Sequence, residues 1–332
     1  MKAHLAHTFE ELVSIENLLE AWREFLPGKS NKRDVQQFQR LLVDNIVSLH
    51  SDLENGTFRH GAYTHFRISD PKPRDIHKAT VRDRLVHHAI YRVLYSYFSR
   101  TFVADSYSCQ LEKGTHRAMR RFRLFAGQVS KNNTQTCWVL KGDIRKFFAN
   151  IDQSVLLKQL EERIPDTRVM ALLQEVIQSF SWVSGKGLPL GNLTSQLFVN
   201  VYMTPYDQFV KHKLKGRYYI RYADDFVILS QDREWLEGLV PQIAEYLDNQ
   251  LTLHLHPQKV FIKTLASGVD FLGWIHFPAH RILRTSSKRR MLKRIARYPE
   301  SQTVQSYLGI LKHGDTENLR KEVINQVHLW KE

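Results

Sequence analysis

The apolar positions of this chain change period several times, and each change marks a boundary between elements. From residue 8 to 54 the period is helical, with Val35, Phe38, Leu41, Leu42, Ile46 and Leu49 on one face behind Asp34, a residue suited to an N-cap. Between Gly56 and Arg84 the segments become short and extended. Pro71-Lys72-Pro73-Arg74 forbids helix there, because each proline pushes the residue before it out of the α region. Residues 81 to 100 return to a basic amphipathic helix, with Val81, Leu85, Ile90 and Leu94 apolar and Arg82, Arg84, His87 and His88 polar.

Trp138-Val139-Leu140 reads as a buried strand ending at Asp143, and a helix carrying Val155, Leu156, Leu160 and Ile164 follows behind Asp152 as its cap. A core helix follows Thr194, its stripe made by Leu197, Phe198, Val201, Tyr202, Tyr206 and Phe209. Two β-prone stretches, Arg217 to Arg221 and Phe226 to Leu229, then flank Tyr222-Ala223-Asp224-Asp225, where the aspartates favour a turn. A helix over 233 to 249 carries Trp235, Leu239, Ile243, Tyr246 and Leu247, and Leu251, Leu253 and Leu255 alternate as a strand. The order β-α-α-β-turn-β-α-β predicts an α+β fold, a split βαβ unit on an antiparallel sheet.

Adjacent carboxylates in a hairpin tip repel and lose hydration, so they are tolerable only when solvated or neutralised by a cation. Asp143 ends an apolar strand in the same way that Asp224 follows one, so neighbouring strands can bring three acids to one sheet edge. Three hard carboxylates suit two magnesium ions, one lowering the pKa of a hydroxyl nucleophile and one neutralising a leaving pyrophosphate. The 332 residues carry a net charge of +14, which points to a polyanionic partner, nucleic acid first. The run Arg281, Arg284, Lys288, Arg289, Arg290, Lys293, Arg294 and Arg297 lies on a stretch that reads as helical and suits a nucleic-acid backbone. Cys109 and Cys137 form no C-x-x-C, so neither a disulfide framework nor a cysteine zinc site is expected. His254 and His256 share a strand face without a third ligand. No apolar run approaches a membrane span and the start Met1-Lys2-Ala3-His4 is polar, so the expectation is a cytoplasmic protein with no membrane partner.

These motifs, in their order, resemble those of a prokaryotic reverse transcriptase of the group II intron-like lineage. Asp143-Ile144-Arg145-Lys146-Phe147-Phe148 resembles the first catalytic block, Leu188 to Gln196 the second and Tyr222-Ala223-Asp224-Asp225 the third; His256-Pro257-Gln258-Lys259 resembles the lysine block and Phe271-Leu272-Gly273-Trp274 the primer grip. The resemblance implies a right-hand polymerase making cDNA on a template RNA from dNTPs. Residues 1–54 would be a helical extension and 55–135 the fingers; 136–280 would be the palm, with 165–190 returning toward the fingers, and 281–332 a short basic thumb. It implies that Asp143, Asp224, Asp225 and the Ile144 carbonyl hold two Mg2+ ions, for which Mn2+ can substitute, and that Lys259 protonates pyrophosphate. Lys72 and Arg74 would grip the triphosphate, Phe148 would exclude a ribose 2′-hydroxyl, and Leu190, Gly191 and Gln196 would lie over the nascent pair. Tyr222, the grip Phe271 to Trp274, and Lys288, Arg289 and Arg290 would bind primer and template.

Where many reverse transcriptases carry Gln-Gly and Ser-Pro, this chain has Leu190-Gly191 and Ser195-Gln196, a combination that resembles enzymes of diversity-generating retroelements. Leucine removes a hydrogen-bonding group from the surface facing the base pair, so reduced fidelity is expected. A small basic accessory protein is also implied. The related antiphage-defence reverse transcriptases are the alternative. A non-catalytic nucleic-acid scaffold would need a broken triad, and an RNA-making polymerase is opposed by Phe148.

Overall fold

In the computed structural model, which describes residues 8–69, 73–298 and 300–328, the N-terminal helical pattern resolves into four helices. These are α1 (Phe9–Val13), α2 (Ile15–Phe25), α3 (Arg33–Arg40) and α4 (Leu42–Glu54). The expected run behind Asp34 breaks at Leu41, whose φ and ψ of −118° and 38° leave the helical region. Asp34 is not the cap. It lies inside the first turn of α3, where its carboxylate takes Lys78 at 2.6 Å and Arg84 at 2.8 Å.

The proline-bordered region forms an antiparallel hairpin of β1 (Thr64–Ile68) and β2 (Arg74–Lys78), with His65 opposite His77. Helix α5 (Val81–Phe98) starts at the expected residue, its N-cap Thr80 accepting from the Asp83 amide. His87, expected on its polar side, is buried instead and hydrogen-bonds the Thr194 hydroxyl through Nδ1. Helix α6 (Thr115–Val129) follows.

Next come β3 (Trp138–Asp143), α7 (Phe147–Asn150), α8 (Gln153–Glu161), α9 (Thr167–Gln178), α10 (Leu193–Gln208), β4 (Tyr219–Tyr222), β5 (Asp225–Ser230), α11 (Arg233–Leu251) and β6 (Phe261–Thr264). Asp152 caps α8 as its sequence position implies, accepting from the Ser154 and Val155 amides. The strand expected over Leu251 to Leu255 is absent: α11 runs through Leu251, Thr252 turns left-handed at φ 49°, and β6 lies later. The sheet order is β4-β5-β3-β6, every pair antiparallel, which is the split βαβ arrangement.

Period-2 alternation gives this sheet two apolar faces. Leu140, Tyr219, Phe226 and Ile228 enter the core shared with α10 and α11. Val139, Ile220, Val227 and Leu229 pack with Phe122 and Phe125 of α6 and with Phe271. Along the outer edge of β4 runs the segment 105–107, where the Arg221 amide donates to Asp105 O at 3.0 Å and the Tyr107 amide to Arg221 O at 2.9 Å. A second sheet of β7 (Val269–Phe271), β8 (Trp274–His276) and β9 (Arg281–Leu283) leads into α12 (Thr285–Arg297), α13 (Ser301–Leu311) and α14 (Glu317–His328). Arg281 and Arg284, expected within a helix, lie in β9 and just before α12.

Candidate active site

Alternation places Lys141, Asp143 and Asp225 on the α6 side of the sheet, and the register sets Asp143 directly opposite Asp225. The two-residue turn Ala223-Asp224 joins β4 to β5, with Ala223 at φ 56°, and the Ile144 amide donates to Asp224 O at 3.0 Å. All three predicted aspartates therefore meet at one end of the sheet. Asp143 is held from the other side as well, its carbonyl accepting from the His256 amide at 2.7 Å, while Arg145 donates to His254 O at 2.9 Å. The Ile144 carbonyl takes no part in these contacts.

Two lysines face these acids. Lys259 Nζ lies 2.8 Å from Asp143 Oδ1, and Lys141 Nζ lies 3.3 Å from Asp225 Oδ1 and donates to Asp270 O at 2.9 Å. Apart from that ion pair, Asp225 Oδ1 is buried without a hydrogen-bond donor. Burial, with the neighbouring charges of Asp224 and Asp143, pushes the Asp225 carboxyl up to about 6 against the opposing pull of Lys141. A hard cation would relieve each of these strains, so the donor set fits a magnesium-type ion. No group of three His, Cys, Asp or Glu among the described residues is arranged to hold a metal.

The other sequence-predicted residues separate into those near this end and those that support it. Phe148 is half-buried beside Phe147, and its carbonyl accepts from the Leu188 amide at 2.9 Å, so the first and second blocks touch. Half-buried Leu190 gives its carbonyl to the His77 amide at 3.1 Å, and Asn192 Nδ2 donates to His77 O at 3.2 Å, which fastens β2 to the loop before α10. Gly191 sits at φ 108°, a conformation that favours glycine, with Ile76 close by. Gln196 is half-buried on α10, and Arg74 is exposed at the start of β2. Lys72 lies outside the described residues.

Phe271 and Trp274 are buried, so they brace the β7–β8 hairpin from within. Its tip is Leu272-Gly273, at φ 53° and 85°. Tyr222 accepts a hydrogen bond from the Thr115 hydroxyl at 3.2 Å. On α12 Lys288 pairs with Glu322 at 3.1 Å, Arg289 is exposed and Arg290 is half-buried.

Three residues escaped the sequence reading. Arg221, on the opposite face from Asp225, is fully buried and makes a two-pronged pair with Asp207, Nε to Oδ1 and a terminal nitrogen to Oδ2, each at 2.7 Å. It also donates to Ala223 O at 3.1 Å, gripping the acid-bearing turn, and Tyr219 donates to the same Asp207 at 2.6 Å. Burial opposes its charge, yet the Asp207 carboxylate holds the guanidinium above its ordinary range. The available signal was an arginine inside an apolar strand. Lys141 sits likewise in a strand, and Gly142 faces the Phe226 ring so closely that a methyl group would stand 2.2 Å from it.

The family model described as reverse transcriptase (RNA-dependent DNA polymerase) matches residues 69–276, more than half of the chain. The chain belongs to the reverse transcriptase family. Members generally use divalent metal ions. Among similar curated proteins, Protein YkfC of Escherichia coli is 24% identical over 272 residues, covering 70% of this reverse transcriptase chain and 69% of its own length. The group II intron-encoded protein LtrA of Lactococcus lactis is 21% identical over 305 residues, covering 70% of this chain and 49% of its own, so the chain spans about half of that relative. The solved telomerase from Candida albicans, in complex with a fragment of telomeric RNA, superposes with a TM-score of 0.52 at 11% identity, covering 79% of this chain and 55% of that one. The right-hand polymerase fold expected from the motifs is thereby borne out. Among the described residues no helix is long and apolar enough to cross a membrane.

Proposed function

We propose that this chain copies RNA into DNA, with Asp143, Asp224, Asp225 and the Ile144 carbonyl holding two magnesium ions at the end of the sheet. The observation that carries this is the register of Asp143 opposite Asp225, locked by the Ile144 amide on Asp224 O. When bound, such ions supply an acidified primer hydroxyl and neutralise charge on the pyrophosphate. The protein positions and shields. Phosphoryl transfer needs little else from a protein.

Lys259, beside Asp143, carries a proton that a departing pyrophosphate can accept. Phe148 limits space beside the sugar, and Arg74, at the start of β2, reaches the triphosphate together with Lys72. Leu190, Gly191 and Gln196 face the nascent pair, while Tyr222, the Leu272-Gly273 tip and the α12 cations guide primer and template. On this reading residues 1–54 are an extension, 55–135 the fingers, 136–280 the palm with 165–190 returning toward the fingers, and 281–332 the thumb.

Leucine at 190 supports a low-fidelity enzyme of the diversity-generating kind, working with a template RNA from its own locus and a small accessory protein. Similarity to an intron-encoded protein supports a second reading, in which the template is an intron RNA.

Primer extension on an RNA template tests the core claim. Asp224→Asn is expected to lower the rate by at least about 100-fold, since electrostatic stabilisation is the main catalytic contribution, while hybrid-duplex binding stays near wild type. Phe148→Ala should raise ribonucleotide incorporation. Normal extension by the asparagine variant sinks the metal assignment, and sequencing the cDNA for errors opposite template adenines decides between the two readings.

A further inference from the structure

Helix α6 carries His116, Arg120 and Arg123 at positions i, i+4 and i+7, a single helical face. Beside that face lies the loop after α13. His313 places its ring 3.8 Å from that of His116, and Arg281 of β9 donates through Nε to the His313 carbonyl. Between helix, loop and hairpin is a cavity of about 390 Å³, lined by Arg123, Phe277, His280, Arg281, Lys312 and His313. Its acid is Asp315, exposed at the rim, whose amide donates to Arg281 O at 2.8 Å.

Positive charge collects here without being balanced. Among the described residues Arg120, Arg123 and Lys312 enter no ion pair, and Arg281 enters none. The crowding is visible in its effect: after burial, the charges holding His313 below its ordinary range are His116, Arg281, Arg120 and Lys312, all of one sign. Concave clusters of unpaired cations concentrate anions, and guanidinium groups favour phosphate. An aromatic surface adjoins the cations, since Phe277 and exposed His280 stack at 4.9 Å with planes 15° apart. Cations beside a stacking ring are the recurring means of holding an unpaired strand, whose bases are free to stack.

The stripe also has a direction. Thr115, the first residue of α6, touches the hydroxyl of Tyr222 in the catalytic hairpin, and Arg123 lies eight residues on, roughly 12 Å away along the helix. We propose that this cavity binds single-stranded nucleic acid outside the copied duplex, a backbone phosphate lying among Arg123, Arg281 and Lys312 and a base on the His280 ring. The site is separate from the carboxylates and needs no polymerase chemistry.

The test uses the full chain with the cleft filled by a blunt RNA–DNA hybrid and follows the anisotropy of a labelled oligouridylate of about twelve nucleotides. The double variant Arg123→Ala/Lys312→Ala, altered at two exposed side chains, is expected to bind the oligonucleotide about tenfold more weakly. Its plot of log affinity against log salt should be shallower by about 0.7, from the loss of that single-strand phosphate contact. Extension of a recessed DNA primer over a short RNA template overhang, measured separately, should be unchanged. Unaltered affinity and slope overturn the proposal, as does displacement of the oligonucleotide by micromolar inorganic phosphate, which would make the cavity a site for the free ion. Photocrosslinking of 5-iodouridine oligonucleotides to the wild-type chain decides independently of whether the variant folds: adducts on residues 277–281 support the site, and adducts found only elsewhere refute it.

Discussion

A methyl group at Gly142 would stand 2.2 Å from Phe226, and that ring is locked in a core that includes Tyr206 and Tyr219. Gly142→Ala must therefore push β3 from β5 beside Asp143. Overpacking of this kind costs about 1–3 kcal/mol, so the urea midpoint should fall with little change in the slope of the transition. Arg221 makes the opposite kind of demand. Arg221→Met strands the Asp207 carboxylate in the core, an unpaired buried charge expected to cost about 3–5 kcal/mol. Arg221→Met/Asp207→Leu removes both charges and should regain most of that stability. If the guanidinium also steadies the turn through Ala223 O, the double variant folds yet extends primers slowly; wild-type extension would show that the network serves folding alone.

At the scale of elements, the β1–β2 hairpin is fastened to the loop before α10 by two hydrogen bonds, His77 to Leu190 O and Asn192 to His77 O. Asn192→Ala removes one, worth about 1 kcal/mol, and the amides of Arg74–Lys78 should exchange with solvent several-fold faster. Unchanged exchange would mean that the hairpin is held elsewhere. These long-range ties explain what the sequence could and could not reveal. The acid-bearing hairpin was legible because two polar residues interrupt a strong β pattern, and Asp152 was legible because a cap acts on its own neighbours. Leu251 to Leu255 misled because alternation over three leucines fits a strand as well as the last turn of α11 and its left-handed exit at Thr252. The partner of Arg221 is fourteen residues distant on another element, so nothing local marked that arginine as buried. His87 was misplaced likewise, for Thr194 reaches it from a helix more than a hundred residues on.

For the molecule as a whole, two buried histidines, His87 and His276, and the half-buried His88 shape the response to acid. Burial holds His87 down to about 3, and His88 and His276 to about 4, chiefly because a charged ring would be desolvated. Unfolded histidine titrates near 6.5, so below that pH the unfolded chain takes up protons that the native one refuses. Their contribution is complete above about 6.5 and is lost progressively toward about 4, each removing up to roughly 1.4 kcal/mol per pH unit. Asp225, raised to about 6, acts in the opposite sense below that pH and offsets part of the loss. Urea midpoints should therefore fall between pH 7 and 4.5, and His276→Gln should flatten the decline; a flat wild-type profile would contradict the buried neutral rings. One more property belongs to this scale. Because residues 105–107 already pair with the outer side of β4, the chain supplies its own neighbour where an incoming strand would otherwise add. Self-association by β-augmentation is disfavoured on that flank, beside the acidic turn, and copies of the protein that meet at this edge must do so through side chains rather than a shared sheet.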